Sequence, residues 1–289
     1  MTLIIRNVQK LKHILKINNK SIKFIPTLGN LHDGHKKLIF ESQKISGISI
    51  VSIFVNPLQF ENKLDFLSYP KTLTRDIRII KNLNVEILFV PNVSFSENIK
   101  FRNFDQYEKL IKVLCGKNRP GHFEGVIMIL SKFLDIIKPN YLILGDKDFQ
   151  QILVIKKLVQ NMILKTKIKL IKTHRMQSGL ALSSRNLLLS NAGRANAANL
   201  FKIMKDIKSS IKNKGLLITE FNNYKNLLIS SGFEKVNYLE IRNENDLSNI
   251  DTKPTKARLF ASANIENIKL IDNLSLGQIS IHNKYYTSS

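Results

Sequence analysis

Four short stretches of the 289-residue chain gather residue types that bind phosphate and small polar substrates. Pro26-Thr27-Leu28-Gly29-Asn30-Leu31-His32-Asp33-Gly34-His35 follows a strand-like apolar run and leads into a segment of helical period. Two histidines three residues apart lie on one face of a helical turn. At that helix's N-terminus they join backbone N–H groups and the positive end of the dipole, which together make a phosphate site. Gly29 and Gly34 let phosphate approach the backbone closely. The alternative is that the histidines only cap the helix or face solvent and the glycines serve a tight turn; the density of the stretch, placed after a strand, favours phosphate. Asn56-Pro57-Leu58-Gln59-Phe60 follows a second strand-like run, with two amides suited to a hydroxylated substrate. Gly145-Asp146-Lys147-Asp148-Phe149-Gln150-Gln151 opens another helix, where Lys147 is a point charge for phosphate and Asp148 either caps the helix or holds ribose hydroxyls. Ser183-Ser184-Arg185-Asn186, after Gly179-Leu180-Ala181-Leu182, adds two hydroxyls and a guanidinium.

Together these loops make a polyphosphate clamp without a Gly-Lys-Ser/Thr P-loop. No GxGxxG fingerprint is present either, which argues against a dinucleotide dehydrogenase. The other histidines, His13, His122, His174 and His282, are scattered and suggest no metalloenzyme cluster. A single cysteine, Cys115, excludes an internal disulfide and a cysteine-rich metal site, and fits a reducing compartment.

The elements that must carry these loops are legible as a pattern. Strand-like runs occur at 21–27, 48–55, 85–90, 141–145 and 167–171, with helical period at about 33–46, 71–83, 122–137 and 148–161 between them. Each run is nearly uniformly apolar, as strands buried on both faces are, so a parallel sheet covered by helices is expected. Ligands of such a sheet bind beyond the carboxyl ends of its strands, where the first three loops fall. After about residue 175 the pattern changes to two long polar helices, near 190–213 and 218–231, and then to the strand-like runs FEKVNYLEI, KARLFASA and IKLID. Two domains are therefore expected: residues 1–175, with the first three of these loops, and a smaller α+β domain over 176–289.

Composition excludes the fibrous, disordered and disulfide-stapled classes: 43% of residues are hydrophobic and 23% charged in 33.2 kDa. No run reaches the 18 or more apolar residues of a membrane span. The lysine-studded start, MTLIIRNVQKLKHILKINNK, does not read as a signal peptide, so a cytoplasmic location is expected. The net charge of +23 makes nucleic acid a natural suspect. Against it, the basic residues are 35 Lys and 10 Arg spread over the whole chain, with no recognised reader motif. Lys, Asn and Ile abound together, as AT-rich codons would produce. Solvated surface with only weak, salt-sensitive polyanion binding is the reading adopted, with no specific nucleic-acid partner and no membrane.

The ordered set PTLGNLHDGH, VSIFVNPLQF, YPKTL, RPGHFEGV, LGDKDFQQ and GLALSSRN resembles the pantoate–beta-alanine ligase family of the HxGH nucleotidyltransferase superfamily. The match runs in order from about residue 21 to 195, with weaker echoes in VNYLEI and KLIDN. The resemblance implies a Rossmann-like, doubly wound α/β domain followed by a smaller α+β lid domain. It also implies a homodimer, and a reaction that joins pantoate to beta-alanine while ATP, accompanied by Mg²⁺, yields AMP and pyrophosphate. By the same resemblance Leu28, Gly29, Asn30, Leu31, His32, Asp33, Gly34 and His35 line the ATP site, with both histidines on the phosphates and His35 as proton donor. Gly145, Asp146, Lys147 and Asp148 match ribose and phosphate contacts, Leu182, Ser183, Ser184 and Arg185 a second phosphate wall, and His174 an adenine contact. Gln59 and Gln151 match the glutamines that hold pantoate, Gln59 also facing beta-alanine. Arg119 and His122 fall in a motif near pantoate and the dimer contact. His32, His35 and Lys147 form the expected catalytic set.

The chain departs from the family pattern at Leu28 (usually Met), Asn30 (usually Ala), Cys115 (usually Glu) and His174 (usually Val). Arg75 stands where some members carry an acidic residue near Mg²⁺, which leaves Asp76 as the nearer candidate and no metal ligand assigned. A nucleotidyltransferase of the same superfamily, acting on a phosphate-bearing acceptor, is the alternative; it would not be expected to carry NPLQF, GDKDFQQ and GLALSSRN together.

Overall fold

The computed structural model describes residues 1–99, 101, 103–214, 220–250 and 254–279. They form two compact units. The first contains residues 1–112, 119–146 and 151–174; the second contains 113–118, 147–150 and the described residues from Arg175 on. The sequence reading drew one cut, at residue 175. The structure changes unit between His174 and Arg175 and, in addition, packs Val113–Asn118 and Lys147–Gln150 with the second unit.

The first unit is built on six strands: β1 (Leu3–Ile5), β2 (Ile22–Thr27), β3 (Ile48–Ile53), β4 (Ile87–Phe89), β5 (Tyr141–Gly145) and β6 (Lys167–Ile171). Their order is β1-β4-β3-β2-β5-β6 and every pairing is parallel. Alternation along each strand divides the core between two faces. On β2, Ile25 joins Val51, Leu88 and Ile143 in a cluster with Ile39 and Ile80 of the helices Asp33–Gln43 and Leu73–Asn82. Its neighbour Phe24 turns the other way, 5.4 Å from Phe133 of the helix His122–Ile137. Phe89 and Phe95 complete that aromatic face at 6.0 and 4.7 Å from Phe133. Burial on both faces explains why the inner strands β2 to β5 read as mostly apolar runs, while the edge strand β6 alternates exposed and covered residues. From β2 the chain adds β3 and β4 on one side, then returns to place β5 and β6 on the other. The direction of winding thus reverses between β2 and β5, where an open α/β sheet forms a ligand crevice at its carboxyl edge.

The second unit has an antiparallel sheet, β7 (Lys235–Asn243), β8 (Thr255–Ile265) and β9 (Ile268–Ile279), in the order β7-β8-β9. Leu200, Ile203, Met204 and Ile207 of the helix Asn199–Lys214, with Leu228 of Glu220–Ser230, pack onto Leu239, Leu259 and Ala261. The segment read as one helix over 190–213 is two, Asn191–Ala197 and Asn199–Lys214. Residues 218 and 219 of the next expected helix lie outside the described residues. Among the described residues no helix is long and apolar enough to cross a membrane.

Candidate active site

The loop after β2 is bent by two left-handed residues, Gly29 (φ 84°) and Asn30 (φ 50°). Asparagine accepts this conformation more readily than most side chains, so Asn30 suits the turn better than the alanine usual in the family. Thr27 Oγ1 pins the loop's root, donating to Ser52 O at 2.7 Å and accepting from Gly29 N at 3.2 Å. Asp76, fully buried in the helix Leu73–Asn82, holds the bend: its two carboxylate oxygens accept from Asn30 N (2.8 Å) and Leu31 N (2.9 Å).

The helix Asp33–Gln43 then begins with both histidines in its cap. His32 Nδ1 accepts from Gly34 N at 3.1 Å, and His35 Nδ1 accepts from His32 N at 3.3 Å. The capping and phosphate readings are therefore compatible. Because a backbone N–H must donate, both Nδ1 atoms carry lone pairs, and each neutral ring carries its proton on Nε2. The rings stack with centroids 4.0 Å apart, giving two N–H donors beside a helix N-terminus. Asp33, in the same turn, is drawn sideways to Lys36 at 2.9 Å, which holds its carboxyl below the usual range; the His174 and His32 rings act in the same direction.

Gln59 stands on the short 3₁₀ turn Pro57–Gln59 after β3. Asn56, 1% exposed, is not a second substrate amide. Its Oδ1 accepts from Leu58 N, and its Nδ2 donates to Gln59 Oε1 and to Gly125 O, both at 3.1 Å. With Oε1 held, Gln59 presents its Nε2 hydrogens as donors. The helix His122–Ile137 lies so close to this turn that a Cβ on Gly125 would stand 2.2 Å from Leu58 O. His122 Nδ1 donates to Gln59 O at 2.6 Å, and Arg119 pairs with Glu61 at 2.7 Å and Asp65 at 3.6 Å. Arg119 and His122 thus brace the turn that carries Gln59.

Gly145 ends β5, the strand paired with β2, and Asp146 Oδ1 accepts from Thr173 N at 2.6 Å and from the Thr173 hydroxyl. Asp146 therefore fixes the chain that leads to His174. Gln151 follows in the helix Phe149–Asn161, half-buried. In the first unit the structure brings the histidine loop, Gly145, Asp146 and His174 to one edge of the sheet, at the reversal between β2 and β5.

The second unit holds Lys147, Asp148 and Ser183 to Arg185. Lys147 is anchored by its backbone, its carbonyl accepting from Asn273 Nδ2 at 2.6 Å, while its ammonium lies 3.6 Å from Asp148. Arg258 bonds Asn273 Oδ1 and, at 2.9 Å, Glu244. Gln150 is structural: Oε1 accepts from Cys115 N (3.0 Å) and Nε2 donates to Val113 O (2.8 Å). Cys115 meets Tyr238 at 2.8 Å, and burial pushes that phenol well above its ordinary range. Ser183 caps the turn Ser184–Leu188 by accepting from Arg185 N at 3.2 Å, and Leu182 precedes it.

Three features escaped the sequence reading: the role of Asp76, the structural use of Asn56, and the close approach at Gly125. Their partners are backbone groups distant in sequence, which residue types do not announce. Among the described residues no group of three or more His, Cys, Asp or Glu side chains is placed to hold a metal ion.

A sequence model of pantoate–beta-alanine ligases matches residues 3–275. A pantothenate synthetase of Buchnera aphidicola is 42% identical over 264 residues, which cover 90% of this chain and 92% of that protein. The crystal structure of a pantoate–beta-alanine ligase from Francisella tularensis, complexed with beta-gamma ATP and beta-alanine, superposes with a TM-score of 0.81. It is 34% identical, over 96% of this chain and 98% of that one. A pantothenate synthetase from Thermus thermophilus superposes with a TM-score of 0.87 at 29% identity, over 96% and 100% of the two chains. A histidine-capped helix at the reversal of a parallel sheet, and agreement in sequence that runs through both units, place the chain in the pantoate–beta-alanine ligase family.

Proposed function

We propose that the chain condenses pantoate with beta-alanine, consuming ATP and releasing AMP and pyrophosphate by way of a pantoyl adenylate. The observation that carries this reading is the pair of imidazole Nε2–H donors at the start of the helix Asp33–Gln43, on the edge of the sheet where nucleotides bind. A carboxylate is a poor electrophile, because amine attack would have to expel an oxide. In the first step a pantoate carboxylate oxygen forms a bond to the α-phosphorus of ATP and pyrophosphate leaves. In the second the beta-alanine amine attacks the pantoyl carbon, AMP leaves with the bridging oxygen, and the amine loses a proton. No enzyme nucleophile is needed. Catalysis is positioning together with stabilisation of phosphate charge.

In this reading His32, His35 and the neighbouring amides of the first unit donate to phosphate, and His174 contacts adenine. Lys147 and Arg185 of the second unit supply positive charge, Ser183 and Ser184 hydroxyl donors, and Asp148 an acceptor for ribose. Gln59 and Gln151 hold pantoate, Gln59 also facing beta-alanine. Asp76 does not suit a metal, since both its oxygens are engaged by amides; Mg²⁺ would arrive with ATP as part of the substrate. A homodimer and a cytoplasmic location complete the proposal.

AMP release is the test. With ATP and pantoate alone, a single turnover of pyrophosphate is expected without steady AMP production; adding beta-alanine should bring AMP and an amide product in equal amounts. A nucleotide retained on a phosphate-bearing product would favour the related transferase chemistry instead.

Gln59→Leu should impair the use of pantoate far more than the binding of ATP. The volume is nearly kept, and Asn56 Nδ2 loses Gln59 Oε1 but retains Gly125 O, so the turn is held while a substrate hydroxyl or carboxylate loses its donor. Such a loss costs about 1 to 3 kcal/mol, or roughly 5-fold to 150-fold. Steady-state kinetics over a range of pantoate, beside calorimetric titration of ATP, would compare the two; equal losses for both would remove Gln59 from the pantoate contact.

A further inference from the structure

We propose that Asp76 is a positioning residue for the histidine loop, its carboxylate filling an anion nest that the loop itself forms. This rests on the phosphate-binding reading of His32 and His35. Gly29 and Asn30, both left-handed, turn the successive amides of Asn30 and Leu31 toward one point. Such a concave pair of N–H groups is a binding place for anions. In a loop that also receives phosphate it would be a rival seat, a few residues before the donors of the helix start. Asp76 occupies it. Oδ2 accepts from Asn30 N at 2.8 Å and from the Thr72 hydroxyl at 3.1 Å, and Oδ1 accepts from Leu31 N at 2.9 Å. An incoming phosphate therefore meets negative charge at the nest and is directed to the imidazoles and the helix N-terminus.

A second observation concerns the loop's other supports. An open pocket of about 240 Å³ borders it, lined by Leu28, Gly29, Asn30, Lys71, Thr72 and Asp76 together with apolar side chains. Leu31 packs in the core and its carbonyl accepts from Arg75 Nη2 at 3.3 Å, while the two amides of the bend rest on Asp76, a charged acceptor whose hydrogen bonds are stronger than neutral ones. The next residue after Leu31 is His32, whose N–H holds the His35 ring, so the direction of the loop fixes the direction of both Nε2–H donors.

Two variants test this. Asp76→Ala empties the nest, and kcat/KM for ATP should fall about 100-fold, as expected for donors displaced by about 1 Å. Formate, small enough for the vacated space, should restore most of that loss in a concentration-dependent way while leaving wild type and His35→Ala unchanged. Asp76→Asn keeps the shape but can accept from only one of the two amides. Its ¹⁵N spectrum should show His32 and His35 departing from the wild-type pattern of two Nε2–H rings. If Asp76→Ala does not fold, the Asp76→Asn spectrum decides. The proposal is overturned if formate fails to restore folded Asp76→Ala, or if Asp76→Asn keeps both the wild-type ring signals and the wild-type kcat/KM for ATP. The ring signals do not depend on turnover, so a failure of the ligase reading in the AMP assay would be separate from a failure here.

Discussion

His35→Ala should slow formation of the pantoyl adenylate about 100- to 1,000-fold, the usual result of removing one preorganised donor from a charge that grows in the transition state. The structure joins the capping role to the same side chain. His35 also closes the cap, its Nδ1 accepting from His32 N, so alanine removes a helix cap as well as the proposed phosphate donor. A lost cap costs about 0.5 to 2 kcal/mol of stability, which lowers the melting temperature but leaves the protein folded. A second substitution separates the two roles. Glutamate at this third helical position can reach back to the same backbone N–H, as in an ordinary capping box. His35→Glu should therefore retain near-wild-type stability while turning a donor toward phosphate into a repelling acceptor. Single-turnover quench with ATP and pantoate, beside thermal unfolding, gives both readings. If His35→Glu is stable and forms adenylate at a near-normal rate, the imidazole is a cap and nothing more.

The capping histidines show how far the residues alone could be read. Their spacing, after an apolar strand and before a helical period, was enough to place them at a helix N-terminus. The tautomer that makes them donors was not readable, because it depends on which backbone amides reach Nδ1. The runs of β2 to β5 were legible because both faces of the sheet are covered there and most strand residues are apolar, whereas β6, at an edge, alternates lysine with apolar residues. β1 was not. It has three residues at the sheet edge, its Leu3 is 41% exposed, and no alternation or apolar run can show in so short a piece. The break at Ala198 was hidden because the apolar period continues from Asn191–Ala197 into Asn199–Lys214.

The paired glutamines after β5 show the same limit at the scale of one residue. Gln150 and Gln151 are identical in type, yet successive helical positions point about 100° apart. Gln150 belongs to the second unit, where it clamps residues 113 and 115, while Gln151 is half-buried and proposed to hold pantoate. The departure at Cys115 is absorbed locally: the thiol meets the Tyr238 hydroxyl, and the amide above it is held by Gln150. Neither contact draws on the residues proposed to bind ATP phosphate.

Lys147→Ala should match the catalytic loss of His35→Ala but leave stability nearly unchanged, and that contrast is its test. The residue's structural tie is its carbonyl, which accepts from Asn273 Nδ2 at 2.6 Å and survives any side-chain substitution. The side chain's described ionic partner is Asp148 at 3.6 Å, on a carboxylate 48% exposed. The Lys147 side chain itself is 19% exposed, but an ion pair at this separation with a half-exposed partner contributes no more than about 1 kcal/mol. The rate effect is expected to be larger, because an ammonium facing developing negative charge on phosphate is worth roughly 2.7 to 4 kcal/mol in the transition state, or about 100- to 1,000-fold. Lys147→Arg should recover only part of the loss. Its planar fork keeps the charge but cannot place it as a compact point at the end of a flexible stem. Pyrophosphate release in a single turnover, measured for all three proteins beside their melting temperatures, reads both quantities. A normal rate for Lys147→Ala would take the ammonium out of the reaction. A large fall in melting temperature would instead show that the side chain supports the fold, and that part of any lost rate is lost structure.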